Sequence, residues 1–199
     1  MDMVNVKRES LGRTDWAEAA LDALARGGVT AVAVEPLAKA LQTTKGSFYW
    51  HFADRNALLE ATLELWELRD TDRVMASLDE TLDAMARLRA LLRLAFRSVN
   101  DGTAGSAGTV ELALQASASQ PLVAAGLHRV TKRRLELLTR LYVELGLSPA
   151  PARDRALLAY TAYLGHAQLA HATPALLPRG RALTIHVDRM VEALVDLDE

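Results

Sequence analysis

The sequence predicts an all-α protein in which a small N-terminal three-helix unit is fused to a larger helical body. Half of the 199 residues are hydrophobic but only 5% are aromatic, so the apolar mass is mostly Ala, Leu and Val, a mixture that favours helix over strand. Apolar residues recur at spacings of three and four, first in Trp16, Ala19, Ala20, Ala23 and Leu24. Breaks rich in Gly, Pro and Ser then cut the chain into runs of helical length.

The first run starts at Thr14 or Asp15, either of which supplies an N-cap oxygen, with Glu18 placed to complete a capping box on Asp15; Gly27-Gly28 ends it. Beyond Val29-Thr30-Ala31-Val32, Glu35-Pro36 opens a two-turn helix over Leu37 to Leu41, where proline is tolerated because first-turn amides lack intrahelical partners. Gln42-Thr43 is the break, Thr44 caps a third helix over Lys45 to His51, and Phe48 and Phe52 fall on one side of it. Asp54 caps a longer helix with an apolar stripe of Ala57, Leu58, Ala61, Leu65 and Leu68, reaching the region of Arg69.

Six further helices are predicted: Arg73 to Met85, Arg87 to Val99, Val110 to Ala118, Pro121 to Leu145, Pro151 to Ala172 and Arg181 to Leu197. Asn100 to Gly108 and Ser148 to Pro151 read as loops inside one body. The expected organisation is a unit over 1–53 and a body over 54–199. No repeat at a period of about 20 to 50 residues is present, which argues against a solenoid.

Composition removes several function classes. With no cysteine there is no disulfide framework, thiolate zinc site or cysteine nucleophile, which fits a reducing interior and a cytoplasmic expectation. Met1 to Ser10 holds Lys7, Arg8 and Glu9 without the apolar core of an export signal, and no apolar stretch approaches the roughly 20 residues of a membrane span, so no membrane partner is expected. Ala104-Gly105-Ser106-Ala107-Gly108 lacks the first glycine and the preceding strand of a nucleophile elbow. His166 and His171 stand five apart instead of four, without an acidic companion, and Lys45-Gly46-Ser47 lacks the upstream glycine and strand of a phosphate loop. No catalytic residue, metal site or cofactor is expected, and the chain is not read as an enzyme. A net charge of -2 gives no global sign of a polyanion-binding protein, so local arrangement must decide.

Val34 to His51 meets the demands of a helix-turn-helix: two short helices, a tight turn and a second helix with a small or polar outward face. Leu37, Ala38, Leu41, Phe48 and Phe52 form its internal wedge, which leaves Thr43, Thr44, Lys45, Ser47, Tyr49, Trp50 and His51 for phosphates and base edges. Gly46 lets the backbone approach closely, amides near Lys45 face a phosphate, and Lys39, Lys45 and Arg55 give a local positive excess to which Lys7, Arg8 and Arg13 add as an arm. The segment Leu37 to Phe52, with Lys-Gly-Ser followed by Phe-Tyr-Trp-His-Phe, resembles the DNA-binding signature of the tetracycline-repressor (TetR) family, and the likeness runs from about Trp16 to Leu59. Two departures stand out: Ala33 where a Ser or Thr cap is usual, and Gln42 where a turn glycine is frequent.

The resemblance implies that Thr44, Lys45, Ser47, Tyr49, Trp50 and His51 touch DNA, with Lys45 reading bases, Tyr49 and His51 mainly on phosphates, and Arg55 at the start of the fourth helix. It further implies a repressor that binds a palindromic operator in double-stranded DNA as a homodimer and is released by a small-molecule effector of unknown identity. Dimer contacts are expected from the last two helices through Leu157, Leu158, Tyr160, Ala162, Leu164, Gly165 and Leu169, with Val187, Met190, Val191 and Leu194 as a second stripe. Aromatic, Met and His side chains suited to an effector pocket are Trp66, Met85, Phe96, His128, Tyr142, Tyr163 and His166. The competing expectation is a helical protein-interaction module that binds no DNA.

Overall fold

A computed structural model describes residues 11–100 and 107–196. The helices are α1 (Arg13–Gly27), α2 (Val34–Ala40), α3 (Lys45–Tyr49), α4 (Arg55–Glu67), α5 (Arg73–Ala76), α6 (Ala84–Asn100), α7 (Ala107–Gln115), α8 (Pro121–Glu144), α9 (Pro149–Ala172) and α10 (Arg181–Val195), with no strand among the described residues. The Lys7 and Arg8 part of the expected arm, the segment around Ser106 and the predicted end at Leu197 lie outside the described residues.

Local chemistry sets most boundaries as expected, and several differ. Thr44 Oγ1 accepts the Ser47 amide at 3.2 Å, and Asp54 Oδ1 accepts the Ala57 amide at 2.9 Å, so both predicted caps form. The cap of α1 is Gly12 instead of Thr14 or Asp15: the carboxylate of Asp15 works from inside the first turn, accepting the Gly12 amide at 2.7 Å. Gly28 closes α1 at φ 69, a conformation open to glycine at little cost, with its amide on the Leu24 carbonyl.

Arg73 to Met85 is not one helix. Past Glu67 the chain widens into a π-helical turn over Leu68–Asp72, resumes α for the single turn of α5, and leaves helix before α6. Asp79 accepts both the amide and the hydroxyl of Thr81, a local turn that competes with helix, and Asp83 then accepts the Ala86 amide at 2.7 Å to restart it. Accordingly α6 starts before Arg87, α9 starts at Pro149, and α7 ends at Gln115. Within the predicted loop over Asn100 to Gly108, Asn100 ends α6 and Ala107 and Gly108 open α7.

Two buried clusters hold the molecule together. One runs from Trp16, Leu24, Leu37, Phe48, Phe52 and Leu58 through Trp66 to Val110, Leu114, Val123 and Val130, so the core of the first four helices continues into α7 and α8. A Cβ on Gly126 of α8 would lie 3.4 Å from Leu63 of α4, at contact distance, which marks the close passage of these helices. The second cluster packs Leu88, Phe96, Tyr142, Tyr163 and Val191 between α6, α8, α9 and α10, and its edge is laced by Arg89–Glu192 at 2.8 Å and Arg93–Asp188 at 3.0 Å.

The junction of α4, α7, α8 and α9 is polar and buried. Glu111 of α7 is 1% exposed and receives Arg134 Nη1 at 2.6 Å and the Tyr160 hydroxyl at 2.5 Å. Burial disfavours the charge on Arg134, but the neighbouring Glu111 carboxylate more than offsets it, and the guanidinium pKa is raised. Removing one partner of such a pair strands the other. Glu111→Ala is expected to cost about 3 kcal/mol, read as a lower denaturant midpoint at unchanged slope.

Candidate nucleic-acid interface and internal cavity

The turn between α2 and α3 is built tightly: the Thr43 amide donates to the Ala38 carbonyl at 2.9 Å, and Gln42 is held at φ 53 in the left-handed region. Gln42 thus adopts the conformation for which glycine is the usual choice, and Ala33 at the N-cap of α2 contributes no side-chain oxygen. Neither departure opens the turn, which the Gln42 and Thr43 amides close on the Lys39 and Ala38 carbonyls. Trp16 meets Phe48 edge-on at 5.3 Å, Phe48 stacks on Phe52 at 5.5 Å, and Leu37 and Ala38 are buried below them.

On this frame the predicted DNA-facing residues separate by surroundings. Trp50 is 88% exposed and Tyr49 56%; Thr44, Lys45 and Gly46 are also exposed, while Thr43, Ser47 and His51 are half-buried beside them. The Thr44 hydroxyl oxygen and the Ser47 amide are bonded to each other as a cap, which removes one of the amides expected to face a phosphate. Lys45 Nζ lies 3.0 Å from Glu35 of α2, and that hydrogen bond and charge raise its pKa. Arg55 points inward, with Nε and Nη2 each 2.6 Å from the carbonyls of Val32 and Val29. Arg13, read as part of an arm, ties α1 to the end of α3 through the His51 carbonyl at 3.0 Å, with its guanidinium 4.4 Å over the Phe52 ring. Glu35 was missed in the sequence; its position ten residues before Lys45 is a long-range pairing that periodicity does not report.

A cavity of about 280 Å³ lies in the body. Its walls are Val74, Met75, Leu91, Leu92, Leu137 and Leu138, and its polar end holds Arg69, Asp70, Thr71, Arg134, Tyr160 and Tyr163. Of the seven predicted pocket residues only Tyr163 lines it. Trp66 is buried with the Arg134 guanidinium 5.7 Å from its ring, and Phe96 is buried against Tyr163 and His166, whose pKa is lowered by burial and by His186. Tyr142 donates to the Leu194 carbonyl at 2.7 Å, Met85 packs at the edge of the second cluster, and His128 is exposed on an outer groove along α8. The polar end was legible only as Glu111, a lone acid in the apolar run Val110 to Leu114.

The predicted dimer residues also divide. Tyr160, Val187, Val191 and Leu194 are buried in the protomer's own core, because both faces of α9 and α10 carry apolar residues and the sequence does not say which face is outward. Leu157, Leu158, Gly165 and Leu169 remain exposed, and Ala162, Leu164 and Met190 are half-buried. From Ala156 to Ala172 there is no Asp, Glu, Lys or Arg, so the outward face of α9 carries none of these charges beyond its first two turns.

A helix-turn-helix on a helical body defines the class of DNA-binding regulators. Residues 17–74 match the model of the bacterial regulatory proteins of the tetR family. Solved structures with the same fold include a TetR family transcriptional regulator from Agrobacterium tumefaciens (TM-score 0.74, 16% identity, 91% of this chain and 96% of that one) and FadR from Bacillus subtilis in complex with stearoyl-CoA (0.72, 17%, 92% and 97%). A third is AibR in complex with isovaleryl coenzyme A and operator DNA (0.68, 19%, 92% and 97%). At these identities the likeness establishes the fold. No curated protein sequence matches the chain. The likeness to that family is carried by residues 17–74 in sequence and by the fold over the rest of the described chain.

Because Gln42 occupies a left-handed conformation that costs a side chain about 1 kcal/mol, Gln42→Gly is expected to raise the thermal midpoint. A midpoint at or below that of the parent would show that the Gln42 side chain contributes more than its backbone costs.

Proposed function

We propose that the chain is a ligand-responsive repressor that binds a palindromic operator as a homodimer through residues 1–53 and is released when a small molecule occupies the helical body over 54–199. The observation that carries this reading is the exposed row Thr44, Lys45, Gly46, Tyr49 and Trp50, held outward on a frame in which Leu37, Ala38, Phe48 and Phe52 are buried. Trp50 leaves nearly all of its surface open and Tyr49 more than half, beyond its edge contact with Phe48, and a duplex offers them sugar, phosphate and base edges. Two copies are required because one short helix reads too few base pairs, and half-sites about 34 to 36 Å apart suit a two-fold dimer. The outward face of α9, free of Asp, Glu, Lys and Arg beyond its first two turns, supports that dimer, with Gly165 allowing close approach. Acyl-coenzyme A bound in FadR and AibR supports effector control as the use of the body. The match of residues 17–74 to bacterial regulatory proteins supports a non-enzymatic role.

Glu35 competes with phosphate for Lys45. By fluorescence anisotropy on fragments flanking the protein's own gene, Glu35→Gln is expected to tighten operator binding and steepen its salt dependence by about one released ion. Tyr49→Ala and Lys45→Ala are expected to weaken binding about tenfold. Feeble binding, equal on every fragment and indifferent to salt, would favour the interaction module. Gly165→Glu is expected to give monomers in sedimentation and to abolish operator binding at concentrations where the parent is dimeric; a dimer unaffected by that change would place the interface elsewhere.

A further inference from the structure

The polar end of the cavity holds a carboxylate that no cation pairs among the described residues. Two guanidiniums lie at its polar end and both are committed: Arg134 to Glu111 at 2.6 Å, to Thr71 Oγ1 at 3.1 Å and to the Asp70 carbonyl at 3.2 Å, and Arg69 to Glu18 of α1. Asp70 adds a third carboxylate, which makes no ion pair of its own among the described residues and has Arg134, Glu111, the Trp66 indole and Arg69 as polar neighbours. With both lining guanidiniums paired to carboxylates outside the lining, Asp70 is left as the lining carboxylate without an ion pair among the described residues. Tyr160 and Tyr163, stacked at 6.2 Å, supply ring faces at the same end.

We propose that this cavity takes a compact apolar molecule carrying a protonated amine, with the ammonium beside Asp70 and the tyrosine rings. The inference rests on the reading of the cavity as the effector site. A carboxylate of the same shape would meet no uncommitted cation and would be desolvated next to Asp70. Burial pushes the Asp70 carboxyl up to about 6, so it is charged at pH 7.5 and protonated at pH 5. The other titratable groups facing it are Arg69 on the same turn, Glu111 on α7, Arg134 on α8, and Tyr160 and Tyr163 on α9; the walls from α5 and α6 bring none. A raised carboxyl pKa contributes stability that is fully present below the unfolded value of 3.8 and is lost as pH rises through about 6. Asp70→Asn is therefore expected to stay folded at pH 7.5, with a thermal midpoint no lower than the parent's.

The test is calorimetry on the full chain at pH 7.5 with hexylamine, hexanol and hexanoate, beside operator anisotropy in the presence of each. Hexylamine is expected to bind about tenfold or more tighter than hexanoate, with hexanol between. Asp70→Asn, or a shift of the parent to pH 5, is expected to erase the amine's advantage while leaving hexanol unchanged. Hexanoate binding as tightly as hexylamine, an amine preference that survives Asp70→Asn, or no binding of any of the three by protein that still binds operator would overturn the proposal. Tight amine binding that leaves operator affinity unaltered would support the ligand chemistry and overturn the effector role.

Discussion

A guanidinium taken out of water must find counter-charge and acceptors, and meeting that demand for Arg134 organises the body. Its three nitrogens reach Glu111 on α7, Thr71 and the Asp70 carbonyl on the π-helical turn, while its flat face approaches Trp66 of α4. Glu111 in turn accepts from Tyr160 of α9, whose oxygen also lies 3.1 Å from Thr131 of α8. The π-helical turn therefore has a physical reason to persist: its carbonyl and hydroxyl are bonded sideways to Arg134, which offsets the poorer ladder geometry of the wide turn. Apolar residues of similar size could pack this junction at least as stably. What the polar version adds is a fixed, charged end to an otherwise greasy cavity.

The reading head is held by a different device. Its helices are short, and α3 has only five residues, far below the length at which a helix is stable alone. Order comes from the aromatic wedge beneath and from two arginines that satisfy chain ends: Arg55 bonds the carbonyls of Val29 and Val32 before α2, and Arg13 bonds the carbonyl of His51 after α3. With those cations turned to structure, Lys45 is left as the exposed charge of the recognition helix. The surface proposed to meet DNA is then mostly hydroxyl and aromatic, in keeping with the chain's slight net negative charge.

Elements announced by local chemistry were legible in the sequence. Thr44 and Asp54 cap as read, Gly28 stops α1, and Phe48 and Phe52 lie inside while Tyr49 and Trp50 lie outside. The failures share a cause. Arg55 reads as a DNA contact by position, yet its partners are carbonyls 23 and 26 residues away. Met85, Phe96 and Tyr142 have the composition of pocket walls but pack elsewhere, and Val191 and Leu194 form an apolar stripe that serves the protomer's own core. Periodicity says that a face is apolar and stays silent about what covers it. The break at Ser77–Asp83 was hidden because Thr81 and Asp79 satisfy one another locally, within a composition that suits helix.

The route from cavity to reading head can be judged by magnitude. Among the described residues the one ion pair that joins the cavity wall directly to α1, Arg69 with Glu18, is a third to a half exposed on its two sides, and pairs of that kind contribute at most about 1 kcal/mol. Carrying a regulator from almost wholly one state to almost wholly the other takes about 5.5 kcal/mol of differential binding. A surface pair cannot supply that. The continuous core can, because Trp66, Val110, Leu114, Val123 and Val130 bury their side chains in one cluster with Trp16 and Phe48, at about 1.5–3 kcal/mol for each large apolar group. An occupant that disturbs Arg134 acts on Trp66 directly and, through Asp70 and Thr71, on the turn that ends α4. Control of the head then depends on whether α4 can repack against α8 past Gly126, where a methyl group would already touch Leu63.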